Sequence, residues 1–124
     1  MIKLTQIFLM RATQHLRNLP QIDTLAAQLL NLFCENGIEY FPPYESWAKR
    51  KKGSDNVWRA ISYTEIMDLA SLSFNALTKK KPSEQLVKEI LIQIEQWMIQ
   101  SNGQLAQVTF ENGKQSWLPV CLLN

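Results

Sequence analysis

A chain of 124 residues fits a single domain and is long enough to bury a core of its own. Hydrophobic residues make up 46% of it and charged residues 19%, a balance that excludes a disordered chain. The formal net charge of +2 excludes a chain that is basic throughout, and no apolar run approaches the roughly 18 residues of a membrane span. We therefore expect one domain over residues 1–124, no membrane contact and a cytoplasmic location.

The N-terminal third has the apolar spacing of two helices. Residues at helical spacing predict one helix over 3–18 and a second from Leu25 to Phe33. Pro20 ends the first helix and suits the first turn of the second, and Asn36-Gly37 is a C-cap signal. A short proline turn between two helices favours antiparallel packing, so residues 1–37 are predicted to form a helical hairpin.

Residues 38–61 combine aromatic, proline and basic residues. The run 38–44 is predicted to be extended, because each proline moves the preceding residue out of the helical region. Residues 45–52 are predicted to form a short helix that ends at a turn over 53–56. Trp47 and Trp58 bracket this stretch, which argues against a free linker. We expect an aromatic and basic crossover, with Tyr40, Tyr44 and Trp47 as candidate contacts to another protein.

Residues 62–101 carry the clearest helical signals. Ser62 and Glu65 have the spacing of a capping box before a helix over 63–77. The basic turn Lys79-Lys80-Lys81-Pro82 follows, and a second, strongly apolar helix is predicted over 83–101. Ile92 and Ile99 lie beyond the main apolar face of that helix. A helix that is apolar around most of its circumference is either central to the fold or buries a second face against a partner.

Two alternating segments, 105–110 and 115–120, flank Asn112-Gly113, a strong hairpin signal. Over residues 62–124 the order is helix, basic turn, helix, hairpin, and in this order the chain resembles winged-helix modules. The resemblance covers only the second half of the chain and carries no signature motif. The predicted fold is mainly α, in the α+β class: an N-terminal helical hairpin (1–37), a crossover (38–61) and a winged-helix-like unit with a C-terminal β-hairpin (62–124).

The residue sets that most reactions require are missing from the sequence. The one histidine, His15, has no spaced Ser, Cys or Asp partner, the carboxylates show no metal-binding spacing, and the four glycines form no phosphate loop. Cys34 and Cys121 lack the spacing of a metal site and are expected to be free thiols; a disulfide would need an oxidising compartment. We expect no enzyme activity, no cofactor, no metal and no small-molecule substrate.

Basic residues fall into two clusters that suit a contact with phosphates. The candidate nucleic-acid contacts are Lys49, Arg50, Lys51, Lys52, Arg59, Lys79, Lys80, Lys81, Gln85, Lys88 and Lys114. Two observations weigh against this interpretation: Glu84 and Glu89 begin the candidate recognition helix, and the hairpin turn offers a single lysine. Solvated surface, and compensation of a helix dipole by Lys79–Lys81, are the ordinary explanations.

Two functional hypotheses follow from these patterns. The first is a small non-enzymatic binding protein that acts through protein–protein contact, as an adaptor, accessory subunit or inhibitor, with Ile92 and Ile99 in the contact; the partner is another protein or a second copy of the chain. The second is a winged-helix nucleic-acid-binding protein that uses the two basic clusters. Convergence of both clusters and the hairpin turn on one face favours nucleic acid, whereas divergence favours protein contact.

Overall fold

A computed structural model of the protein describes residues 2–3, 21–110 and 112–123. The described helices are α1 (Gln21–Glu35), α2 (Tyr63–Thr78) and α3 (Glu84–Gln100). The strands are β1 (Ile2–Lys3), β2 (Ile38–Phe41), β3 (Ser46–Arg50), β4 (Trp58–Ile61), β5 (Leu105–Thr109) and β6 (Gln115–Pro119). Short 3-10 turns cover Pro42–Tyr44 and Val120–Leu123. The fold is mixed α+β, in which helices pack with two small three-stranded sheets, ordered β1-β5-β6 and β2-β3-β4.

The predicted N-terminal hairpin is seen only through its second helix, α1. That helix ends as expected: Gly37 has a φ of +72° and donates its N–H to the Cys34 carbonyl at 3.1 Å. The predicted helix over 3–18 lies outside the described residues except for Lys3. Lys3 belongs to β1, which pairs in parallel with β5, so a helix does not begin there.

The predicted crossover over 38–61 is a three-stranded antiparallel sheet. The short helix predicted for 45–52 is wrong, because residues 46–50 form the central strand β3 and pair with β2 on one side and β4 on the other. Backbone pairing with residues distant in sequence outweighs the local helical tendency here. The turn between β3 and β4 is held by two hydrogen bonds: the Val57 carbonyl accepts from the Lys51 N–H at 2.7 Å, and Ser54 Oγ accepts from the Val57 N–H.

The helices α2 and α3 begin at side-chain caps, as their sequences predict. Ser62 Oγ accepts from the Glu65 N–H at 3.1 Å, and Ser83 Oγ accepts from the Leu86 N–H at 3.1 Å. The helix α2 ends where Lys79 takes a left-handed conformation, with a φ of +62°. The three lysines of the basic turn therefore lie directly at the carboxyl end of α2.

The C-terminal hairpin is confirmed, with β5 and β6 in continuous antiparallel register from the Leu105–Pro119 pair to the Thr109–Gln115 pair. The β6 strand is an edge of its sheet and is tied to α1, since the Trp117 N–H donates to Asn31 Oδ1 at 2.7 Å. One buried cluster joins the three helices and strands β2 to β6, and it includes Phe33, Trp47, Ile66, Leu91 and Val108. None of the described helices is both long and apolar enough to cross a membrane.

Candidate binding surfaces

The basic residues predicted for nucleic acid are divided between places far apart in the fold. Lys49 and Arg59 are opposite each other on β3 and β4, and Arg59 reaches the first turn of α2. Lys79, Lys80 and Lys81 are exposed beyond the other end of α2. That helix has 16 residues, so its ends are about 24 Å apart. Lys79–Lys81 therefore lie about one helix length away from the Arg59 end of the other cluster.

Several of these cations are also engaged within the chain. Nη1 and Nη2 of Arg59 donate to the Glu65 carboxylate, at 3.2 and 3.0 Å, and this hydrogen bonding, with the charges of Arg59 and Lys49, lowers the pKa of Glu65. Lys88 forms an ion pair with Glu84 at 3.4 Å, and Gln85 lies 3.5 Å from the Glu89 carboxylate. Lys51, Lys52 and Lys114 are exposed, the last beside the hairpin turn.

Of the predicted protein contacts, Tyr40 and Trp47 are core residues. They are 6% and 4% exposed, and their rings are 5.4 Å apart. Trp47 also packs edge-on to Phe33 at 5.5 Å, while its Nε1–H donates to Glu95 on α3 at 3.0 Å. Placing these two residues at a protein contact was wrong, because both point from the sheet into the core. Tyr44 remains on the surface, 81% exposed at the end of its 3-10 turn.

Ile92 and Ile99 lie on the outer side of α3. They are 50% and 49% exposed, although the other side of the same helix buries Val87, Ile90, Leu91, Ile94, Trp97 and Met98. Ile99 follows Ile92 by seven positions, so the two lie on one stripe of α3, about 10.5 Å apart along the helix axis. Ile92 and Ile99 lie beyond the apolar face that α3 buries in the core, and they are half exposed as a result.

Sequence patterns did not reveal a cleft of about 480 Å³, with a mixed polar and apolar lining, between the two sheets. Among the described residues, its lining includes Cys34, Glu39, Arg50, Gly103, Gln104, Leu105 and Trp117, and we call it the Arg50 cleft. These residues come from α1, β2, β3, β5, β6 and the turn that precedes β5. No spacing in the sequence joins them, so only the tertiary structure could reveal the cleft.

Arg50 is fixed in this cleft from several sides. Its backbone N–H donates to the Gly37 carbonyl at 2.7 Å, and its guanidinium carbon is 5.6 Å from the centre of the Trp58 ring. A Cβ on Gly37 would come within 3.3 Å of the Arg50 Cβ and 3.4 Å of its Nε, so the absence of a side chain at Gly37 makes room for the arginine. This Arg50 is a half-buried, positioned cation and does not behave as a freely solvated member of a basic run.

The other ionisable groups of the Arg50 cleft are shifted by burial. Burial raises the pKa of Glu39, and the nearby Arg50 charge opposes that rise. Burial, together with Glu39 and Glu35, raises the pKa of the Cys34 thiol to about 12, so the thiol stays protonated and is a weak nucleophile. Over residues 2–3, 21–110 and 112–123, no group of three His, Cys, Asp or Glu side chains could hold a metal ion. His15 lies outside the described residues.

No protein-family model, curated protein or solved structure is significantly similar to this chain.

Proposed function

We propose that this protein is a non-enzymatic binding protein whose working surface is the outer face of α3, where it takes an amphipathic helix of a partner protein. The observation that carries the proposal is the exposure of Ile92 and Ile99, about half of each side chain, on one stripe of a helix whose opposite side fills the core. Isolated exposed apolar residues are common, whereas a pair one heptad apart matches the anchor spacing of a helix laid along a helix.

The residues around this stripe indicate what the partner presents. Gln96 and Gln100 are exposed polar neighbours without charge, the charge of Lys88 is offset by Glu84, and the exposed Glu89 lies one turn before Ile92. A partner helix with an apolar stripe, polar edges and a cation facing Glu89 fits these neighbours. Covering the exposed half of each isoleucine contributes about 1 kcal/mol per residue. The flanking glutamines must therefore take part in a stable complex.

The distribution of charge ranks this proposal ahead of nucleic acid. A duplex contact gains affinity from cations gathered on one face. Here the clusters lie at opposite ends of α2, and Arg59 is held by Glu65. Much of the basic charge is therefore unavailable to a single polyanion.

Substitution on the outer face of α3 tests the proposal. Ile92→Asp with Ile99→Asp introduces two charges into the contact while leaving the buried side of α3 intact. In an extract of the cells that produce the protein, the wild-type chain is expected to sediment as an assembly well above its own 14.4 kDa, and the double variant at 14.4 kDa.

Leu72→Asp is the matched control for this experiment. Leu72 is 68% exposed on α2, where its exposed neighbours one turn away are Asp68, Asn75 and Ala76, so no second large apolar side chain is exposed beside it. The control variant is expected to keep the assembly. A wild-type chain that sediments as a monomer, or an assembly lost equally in the control, would contradict the proposal.

A second candidate, contact with a nucleic acid, is favoured by one observation at the β3–β4 turn. Lys51 and Lys52 are exposed there, next to Arg50. Two aromatic residues, Trp58 and Phe41, are nearby, and the centres of their rings are 4.9 Å apart. Cations next to aromatic rings suit single strands. This candidate predicts retention on single-stranded DNA that falls steeply between low and physiological salt, and that is lost in Lys51→Glu with Lys52→Glu. Retention that does not respond to salt would exclude it.

We also propose that residues 62–124 form a winged-helix-like unit and that the protein is cytoplasmic. Support for the first is the order α2, basic turn, α3, β5 and β6. Support for the second is that Cys34 and Cys121 are free thiols, as in proteins of reducing compartments.

A further inference from the structure

The Arg50 cleft has the size and the mixed lining of a small-molecule site. Its volume of about 480 Å³ is within the range of roughly 300–1,000 Å³ typical of ligand pockets. One side carries the charges of Glu39 and Arg50, and the other carries Leu105 and the half-buried Trp117. Gln104 adds an exposed amide.

The charged side chains of Glu39 and Arg50 lie on the same face of the β2-β3-β4 sheet. Arg50 lies opposite Gly37, and Glu39 follows Gly37 by two residues, so both side chains leave the sheet on the same side. No direct ion pair joins Glu39 and Arg50, although the Arg50 charge opposes the rise that burial causes in the pKa of Glu39. Each group therefore retains hydrogen-bonding capacity toward the cleft.

This pairing of charges selects against ligands that carry a single charge. A carboxylate bound at Arg50 is attracted by a fork of N–H donors but repelled by Glu39, and an ammonium bound at Glu39 is repelled by Arg50. A ligand with both charges relieves both repulsions. The Cys34 thiol is neutral and adds no charge to this balance.

We propose that the Arg50 cleft binds a small zwitterion of the α-amino acid class with an apolar side chain. The ligand carboxylate lies on Arg50, its ammonium on Glu39, and its side chain against Leu105 and Trp117. This inference departs from the expectation, drawn from the sequence, that the chain has no small-molecule substrate. It goes beyond the proposed function and does not depend on the outer face of α3.

A titration followed through the Trp117 indole N–H resonance tests the proposal with three probes. L-Leucine carries both charges, 4-methylpentanoate only the carboxylate, and 3-methylbutylamine only the ammonium. L-Leucine is expected to shift the Trp117 resonance saturably, with at least about tenfold tighter binding than either single-charge probe. A carboxylate probe that binds as tightly as L-leucine would overturn the zwitterion assignment, as would the absence of any saturable shift.

Glu39→Gln separates a binding role from a structural one. The substitution is close to isosteric and removes one charge, so it should weaken L-leucine about tenfold while it tightens 4-methylpentanoate. Loss of structure would weaken both probes together and would be visible as loss of dispersion in the amide spectrum. Glu45→Gln, at an exposed residue outside the cleft, is the matched control and should bind all three probes as the wild type does. Glu39→Gln that binds both probes as the wild type does would overturn the proposal.

Discussion

The inner face of the β2-β3-β4 sheet and the outer face of α3 both carry large apolar side chains. Those on the sheet are covered by the core, whereas those on α3 are half exposed. On the sheet, Trp47 is 4% exposed, packs on Phe33, and has its one polar atom bonded to Glu95. On α3, Ile92 and Ile99 keep half of their surface in water. Glu95 connects the two regions, because it lies on α3 and accepts from the sheet.

This difference separates stability from binding. A closed surface stabilises the fold, and its loss is felt within the chain. An open apolar surface adds little to folding, since its area stays hydrated, and it is available to a partner. Substitutions in the two regions should therefore produce opposite profiles: lost stability in the first and lost association in the second.

Trp47→Ala is expected to have the largest effect, a loss of about 3–5 kcal/mol in the free energy of unfolding. The substitution leaves a cavity beside Phe33 and deprives the Glu95 carboxylate of its donor. Urea unfolding measures the loss. Trp58→Ala is the matched control, and it should cost clearly less because Trp58 is only half-buried. Equal losses at the two positions would show that the sheet has no distinct inner face.

Ser62→Ala is expected to cost about 1 kcal/mol, because it removes the oxygen that accepts from the Glu65 N–H at the start of α2. Ser62→Gly should cost only a few tenths of a kcal/mol, since glycine is tolerated at this position. Thermal unfolding followed by circular dichroism compares the two variants. Identical stabilities for wild type and Ser62→Ala would mean that the cap contributes nothing to α2.

Glu39 gives the stability of the fold a dependence on pH. Burial raises the pKa of Glu39 in the folded chain above its unfolded value, so the folded chain binds more protons and stability falls as pH rises through that interval. Glu39→Gln removes this loss. The variant should therefore gain stability relative to the wild type as pH increases from the unfolded pKa through the raised folded pKa. Parallel stability curves for the two chains would contradict the shift.

Ile92→Asp and Ile99→Asp should have only a small effect on folding, about 1 kcal/mol each, because each side chain is half exposed outside the core. Together, the two substitutions should abolish association with the partner protein. Urea unfolding and sedimentation on the same samples measure both quantities. A loss of more than about 2 kcal/mol in unfolding would assign these residues to the core and remove the contrast between the two regions.

Local signals were sufficient for the second half of the chain. The cap at Ser62, the basic turn and Asn112-Gly113 fix α2, α3 and the hairpin through neighbours within a few residues. The strand β3 could not be predicted in this way, because its conformation depends on pairing with β2 and β4.

The candidate sites divide along the same line. The exposure of Ile92 and Ile99 follows from helical periodicity, so the sequence could predict it. The burial of Tyr40 and Trp47 depends on which face of an unpredicted sheet meets α1 and α3. The Arg50 cleft depends on how two sheets and a helix end meet, and no run of residues encodes that arrangement.

Photo-crosslinking from the outer face of α3 tests the central claim most directly. A photo-reactive residue in place of Gln96, which is exposed between the two isoleucines, should form one defined adduct heavier than the 14.4 kDa chain in cells that produce the protein. The same residue in place of Leu72 should form none, and Ile92→Asp should abolish the Gln96 adduct. No adduct from Gln96, or equal adducts from both positions, would contradict the account.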